Sequence, residues 1–484
     1  MDKPTHFFLA LKTTIFLLFF IAIISWLFSC EKGLTHLERI QKSGILKIAT
    51  RVDPTTYYQG PNGPIGLEYD LVTLFAKRLG VTVQFATIDN FSEILDQIET
   101  GKTDIAAAGL TITKSRQKKM RFAPGYQKIT EQIIYRSGSK RPKRPKHLAN
   151  ALLEVVNNTS HIESLKKLAQ TNPEIAWEVN TNLDTSGLIY LVDQGLIDYT
   201  VADSNQFALI RRFYPKLYAA FSISKPRQLA WALSRSEDDS LYNEVTAFFK
   251  KIKKDKTLDQ LIERHYSYVT SLNYVDLCKF REHVKSRLPA LQNIFEKAGQ
   301  KHKLDWRFIA AISYQESHWR NKATSPTGVK GLMMLTLSTA KQLKIKDRTN
   351  PYDSIFGGTK YFQILHKKIP DRISEPDRTW MALAAYNVGF GHLEDARILT
   401  RRLGKNPDLW LDVKKSLPLL AKKRWYRQTK HGYARGNEPV KYVENIRSYY
   451  DLLIWLTEDD QIENRVMTAY YPKNNALKVI GTAL

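Results

Sequence analysis

The 484-residue sequence predicts two folded domains of different class, α/β in the first half and mainly α in the second. Three observations predict this. The length exceeds what one hydrophobic core usually organises, which favours two or three domains. Between residues 44 and 268, short β-branched or apolar runs at 45–49, 81–85, 103–107 and 200–202 alternate with helical stretches, the rhythm of an α/β fold. Beyond about residue 268 helical periodicity takes over and strand-like runs become scarce, so the boundary falls between 268 and 280. With 43% hydrophobic and 25% charged residues, the composition is that of folded globular protein rather than of a disordered or fibrous chain.

The N-terminus precedes both domains. Lys3 and Lys12 lead into the apolar run 13–28 (TTIFLLFFIAIISWLF), an export signal that makes residues 1–29 a signal peptide or a membrane anchor. The run is close to the lower length limit for spanning a bilayer, so both fates stay open. Residues 27–30 (LFSC) resemble a bacterial lipoprotein processing site, with Phe28 where that pattern prefers a small residue; Cys30 is the lipidation candidate. The alternative is an ordinary cysteine near a cleavage point. Cys30 and Cys278 are the only cysteines, so no disulfide framework is expected and Cys278 is read as a buried free thiol.

A formal net charge of +25 predicts attraction to polyanions. Zinc-finger spacing and Gly-aromatic RNA-binding signatures are missing, so a membrane surface or a carboxylate-bearing cell wall is expected rather than nucleic acid. The most biased segment, 139–146 (SKRPKRPK), carries prolines that forbid regular structure and reads as a basic surface connector.

In the first domain, residues 44–80 (GILKIATRVDPTTYYQGPNGPIGLEYDLVTLFAKRLG), 91–113 (FSEILDQIETGKTDIAAAGLTIT), Arg116, 121–126 (RFAPGY) and 198–203 (DYTVAD) resemble the periplasmic solute-binding proteins that capture amino acids. The resemblance implies a periplasmic-binding-protein-like domain over 42–268, with two α/β lobes enclosing a ligand. It puts the crossovers near 135–147 and 218–224, with 139–146 near the hinge. Amino-acid capture needs a guanidinium fork for the carboxylate and an acid for the ammonium. The resemblance assigns Thr111 and Arg116 to the first role and Asp203 to the second. The bland alternative is that Arg116 and Asp203 merely cap or pair with local elements. Gly109 departs from the serine that many amino-acid binders carry.

In the second domain, residues 305–320 (DWRFIAAISYQESHWR) predict a helix, because Phe308, Ile309, Ile312 and Trp319 recur at spacings near three and four. Glu316 lies on that apolar stripe, where desolvation would raise its pKa and keep it protonated as a general acid requires. A carboxylate at the edge of the stripe is the alternative. After the helix come 325–335 (SPTGVKGLMML), with two glycines three apart, then 381–391 (MALAAYNVGFG) and 439–450 (PVKYVENIRSYY). Glu-Ser, Gly-Leu-Met, Ala-Tyr-Asn and a late Tyr, in this order over about 290–455, resemble the lytic transglycosylases with a lysozyme-like domain.

That resemblance extends the second domain over 269–484 and makes Glu316 the catalytic acid/base. It assigns Ser317, Gly331, Leu332, Met333, Tyr386, Asn387 and Tyr442 to substrate binding, Ser317 by orienting the substrate or the carboxylate. Met334 departs from the Gln of many relatives. The implied reaction cleaves the MurNAc–GlcNAc bond of peptidoglycan without water, giving 1,6-anhydromuramoyl ends. No cofactor or metal is expected, as metal-ligating His-Glu-x-x-His or Cys/His clusters are missing. Expected partners are glycan strands, a membrane surface, and an amino acid or muropeptide in the first domain. The expected location is the periplasm, at the outer membrane of a Gram-negative cell. Rival readings are a muramidase whose second carboxylate is Asp305, Glu394 or Asp395, and a non-catalytic wall-binding ligand sensor.

Overall fold

A computed structural model describes residues 33–60, 63–88, 90–268 and 272–458. The export segment and Cys30 therefore lie outside the described residues. No helix among the described residues is long and apolar enough to cross a membrane.

The first domain has two five-stranded sheets, one in each lobe. One lobe contains β1 (Ile45–Thr50), β4 (Thr82–Thr87), β5 (Ile105–Ala106), β6 (Met120–Phe122) and β14 (Ala232–Ser234), ordered β4-β1-β5-β14-β6, with a small hairpin of β2 (Tyr58–Gly60) and β3 (Gly63–Ile65) beside it. β1 pairs in parallel with β4 and β5 because the helix Leu67–Leu79 carries the chain back between β1 and β4. The other lobe orders its strands β10-β9-β11-β8-β12, from β8 (Glu131–Arg136), β9 (Leu153–Val156), β10 (Glu178–Asn180), β11 (Tyr199–Asp203) and β12 (Leu217–Ser222).

Between the lobes, β7 (Gln127–Ile129) pairs antiparallel with β13 (Arg227–Leu229). The chain therefore crosses there, and not at 135–147 and 218–224 as expected. β8 and β12 are already inside the second lobe, paired with one another from Leu217↔Arg136 onward. Segment 139–146 consequently sits at that lobe's outer end, away from the hinge.

The second domain is a bundle of helices around Phe280, Phe295, Ile309, Ile312, Ile355, Phe362, Leu383 and Ile446, all at most 2% exposed. Cys278 is free but only half-buried, two residues before the buried Phe280 and so on a different face of the helix, which corrects the expectation of a buried thiol. Apolar packing does not stop at the domain boundary. Phe213 and Tyr214, at the end of the second lobe's helix Ser204–Ile210, pack on Trp455 with ring centroids 5.2 and 5.6 Å apart. Beside them Arg212 donates to Asp451 at 2.7 Å, as does the Tyr268 hydroxyl at 2.6 Å.

Candidate active site and ligand cleft

The helix Trp306–Ser317 begins at Asp305, whose carboxylate caps the Arg307 amide at 2.8 Å, and ends where His318 and Trp319 turn left-handed. Trp319 folds back to donate its indole N–H to the Ala310 carbonyl at 2.9 Å. These two ends hold Glu316 in the last turn. Its one hydrogen-bond partner among the described residues is Tyr442, whose hydroxyl donates to Oε1 at 2.5 Å. Burial raises the Glu316 pKa to about 7, and the tyrosine bond opposes that shift only in part. The apolar stripe read from sequence thus yields a carboxyl that keeps a substantial protonated fraction up to neutral pH.

Tyr442 comes from the helix Asn437–Glu458 and Tyr386 from the helix Asp377–Val388. Their rings stack at 6.4 Å with 14° between planes. Tyr386 donates its hydroxyl to the Met333 carbonyl at 2.9 Å and meets Tyr361 edge-on at 5.3 Å. Asn387 is exposed and free to meet a ligand.

Gly331 turns at φ 84°, and a Cβ there would lie 1.8 Å from the Arg348 carbonyl oxygen, so only glycine fits this bend.

Three expected substrate contacts need correction. Ser317 is 2% exposed and donates its hydroxyl to the Leu332 carbonyl at 2.9 Å, so it braces the loop instead of facing substrate or carboxylate. Leu332 and Met333 are fully buried, so their side chains belong to the core. Sequence reasoning missed Ser313, which also donates to Leu332 O (3.1 Å), and Ser354, which accepts from the Met333 amide (3.1 Å). The four-residue spacing of Ser313 and Ser317 on one helix was the available signal.

The proposed second carboxylates are all engaged elsewhere. Asp305 caps the far end of the Glu316 helix, roughly 16 Å away along its axis, and pairs with Arg307. Glu394 pairs with Arg397, and Asp395 accepts the amides of Lys430 and His431.

In the first domain, Thr111, Arg116 and Asp203 do converge, lining one small cavity of about 20 Å³ with Arg51, Phe91, His161 and Gln206. Arg116 donates to the carbonyls of Thr111 (3.1 Å) and Asn158 (3.0 Å) and lies 5.1 Å over the Phe91 ring. Burial lowers its pKa to about 10, against the raising influence of Glu163, Asp203 and Glu131. A second chamber of about 240 Å³ adjoins it, sharing Arg51, Phe91, Thr159 and Thr185 and extending past Asn157, Asn180 and Asn182. Gly109 donates its amide to Glu68 (3.0 Å).

Glu131, His161 and Asp203 offer ligand atoms within 4.8 Å of one another. Glu131 already accepts from Ser164 and sits 3.4 Å from Arg227, while His161 bonds Asp203 at 3.1 Å. With Arg116 also nearby, the two carboxylates of this cluster already face cationic partners.

Residues 46–268 match the bacterial extracellular solute-binding proteins, family 3, and residues 293–408 match the transglycosylase SLT domain. Fold and site together define a lytic transglycosylase fronted by a solute-binding domain. A Saccharophagus degradans protein named membrane-bound lytic murein transglycosylase F is 48% identical over 431 residues, covering 89% of this chain and 85% of that protein. A Pseudomonas putida protein of the same name is 45% identical and covers 90% of each chain. The chain belongs to the membrane-bound lytic murein transglycosylase F family. Tyr442 lies outside both matched segments, although it is the direct partner of Glu316.

Proposed function

We propose that this protein cleaves the MurNAc–GlcNAc bond of peptidoglycan without water, with Glu316 as the single acid/base, and that it works as a membrane-associated enzyme of the periplasm at the outer membrane. The observation that carries this reading is a buried Glu316 whose pKa is raised to about 7 and whose one hydrogen-bond partner among the described residues is Tyr442, with the other candidate carboxylates engaged elsewhere. Glu316 gives its proton to the glycosidic oxygen while the substrate's acetamido carbonyl stabilises the anomeric carbon. The resulting carboxylate, held by Tyr442, takes the proton of the muramic 6-hydroxyl as that oxygen attacks. Gly331, the Leu332–Met333 backbone, Tyr386 and Asn387 shape the groove.

Residues 42–268 form the ligand-binding unit and 269–484 the catalytic one. The first unit encloses an amino acid or muropeptide, with a carboxylate at Thr111 and Arg116, an ammonium at Asp203, and the remainder of the ligand in the 240 Å³ chamber. Its influence on catalysis has a physical path, because Arg212 and Asp203 flank one short helix and Arg212 grips Asp451 on the helix that carries Tyr442.

Digestion of purified peptidoglycan followed by mass spectrometry tests the reaction. Anhydro ends from the native protein and none from Glu316→Gln are expected; reducing ends would make it a muramidase, and no release would leave a wall-binding sensor.

A further inference from the structure

The catalytic chemistry leaves unused a loop at the outer end of the second lobe. Residues 140–146 carry five cations, Lys140, Arg141, Lys143, Arg144 and Lys146, and residues 132–153 contain no acidic side chain. The loop is built, not loose. The Tyr199 hydroxyl donates to the Lys140 carbonyl at 2.7 Å, Pro142 is buried, and the 3-10 turn Pro145–Leu148 sinks Leu148 into the core. The His147 ring accepts the Lys143 amide proton at 3.2 Å. Desolvation, and then the charges of Arg144, Lys140, Lys146 and Lys143, hold the His147 pKa below its ordinary value, a sign of how closely the cations crowd. All five side chains are exposed, and among the described residues none joins an ion pair.

Position adds direction. β8 runs from Glu131, beside Asp203 at the cleft, to Arg136, where the loop begins. In the other lobe β1 runs toward the cleft, where Arg51 and Val52 line the chamber. The start of β1 and the preceding helix His36–Ser43 therefore occupy the opposite end of the domain. The basic loop and the first described residues after the N-terminal segment thus lie at opposite ends of the domain.

We propose that residues 140–146 form a second, non-catalytic wall-binding surface that recognises the carboxylates of peptidoglycan stem peptides. This rests on the wall being the substrate, though not on the route of bond cleavage. Each exposed cation–carboxylate contact is weak and salt-screened. Several engaged at once on a repeating lattice gain by avidity and keep the catalytic groove close to glycan.

The test is cosedimentation of the full-length chain, in nonionic detergent, with intact sacculi. Both partners of the comparison carry Glu316→Gln so that the wall survives. Changing Lys140, Arg141, Lys143, Arg144 and Lys146 to Gln should weaken association about tenfold at low salt. The difference should vanish at high salt and on sacculi with amidated carboxyls, whereas K140R/K143R/K146R should bind like its parent. With Glu316 intact, the neutralised variant should cleave short soluble strands at the parental rate and sacculi more slowly. Equal sedimentation of the neutralised and parent proteins would overturn the proposal. So would lost binding to phosphatidylglycerol vesicles with retained binding to sacculi, which would assign the loop to a membrane.

Discussion

The Tyr442 hydroxyl donates a 2.5 Å hydrogen bond to Glu316 across 126 residues of sequence. The bond has two opposed effects on the proposed acid. It stabilises the carboxylate and so works against the burial that lifts the Glu316 pKa to about 7. It also fixes the one oxygen, leaving the other for the glycosidic bond.

Tyr442→Phe removes the donor and keeps the ring. The Glu316 pKa should then rise further, because the opposing influence is gone. The first step needs the protonated acid, so the alkaline limb of the pH–rate profile, near pH 7 in the native protein, should move upward. The second step needs a well-held carboxylate, so kcat should fall by roughly 10- to 100-fold. Initial rates of anhydro-product release across pH check both effects; an unmoved limb would separate Tyr442 from the acid.

The same pKa makes a stability prediction. The folded carboxyl keeps its proton to about pH 7, while in the unfolded chain it ionises near the ordinary value of 4.5. Below pH 4.5 both states are protonated and Glu316 brings no pH-dependent penalty. As pH rises from 4.5 to 7, the unfolded chain releases its proton first and is favoured, so the folded state loses stability. Glu316→Gln cannot ionise, so it should match the native protein at pH 4 and exceed it at pH 8 by up to about 3 kcal/mol. Denaturant unfolding at the two pH values measures the difference.

The helix that carries Glu316 was legible because its apolar positions recur within twelve residues, and the α/β rhythm of the first domain was equally local. What sequence could not show is which distant group meets which. Ser317 stands next to the acid and reads as a substrate contact, yet the Leu332 carbonyl that receives its hydroxyl is positioned by a loop bend at Gly331. The lobe crossovers were misplaced because β7 and β13 have only three residues each, too short for a periodic signal, whereas β8 and β12 are longer apolar runs that attract attention. Arg212 and Asp451 lie 239 residues apart, and each alone looks like a solvated charge.

Ser317→Ala separates bracing from substrate contact. Losing the hydroxyl leaves the Leu332 carbonyl with the Ser313 donor, so stability should drop by about 1 kcal/mol while KM for soluble strands stays within about twofold. A large rise in KM with unchanged stability would return Ser317 to the sugar-binding surface.

Asp451→Ala tests whether the two domains behave as one cooperative unit. Arg212 is 6% exposed, so removing its carboxylate partner strands a buried guanidinium and also frees the Tyr268 hydroxyl. A loss of about 3 kcal/mol is expected. It should fall at the junction, because Phe213, Tyr214 and Trp455 are the apolar seal over the same contact. The native protein should therefore unfold in a single calorimetric transition, and Asp451→Ala in two, with the catalytic domain and the solute-binding domain melting apart. Asp451→Asn keeps a hydrogen-bond acceptor for Tyr268 and should show a smaller split. If Asp451→Ala still melted as one unit with unchanged midpoint, the Arg212–Asp451 contact would not couple the domains, and the path from the ligand cleft to Tyr442 would have to run elsewhere.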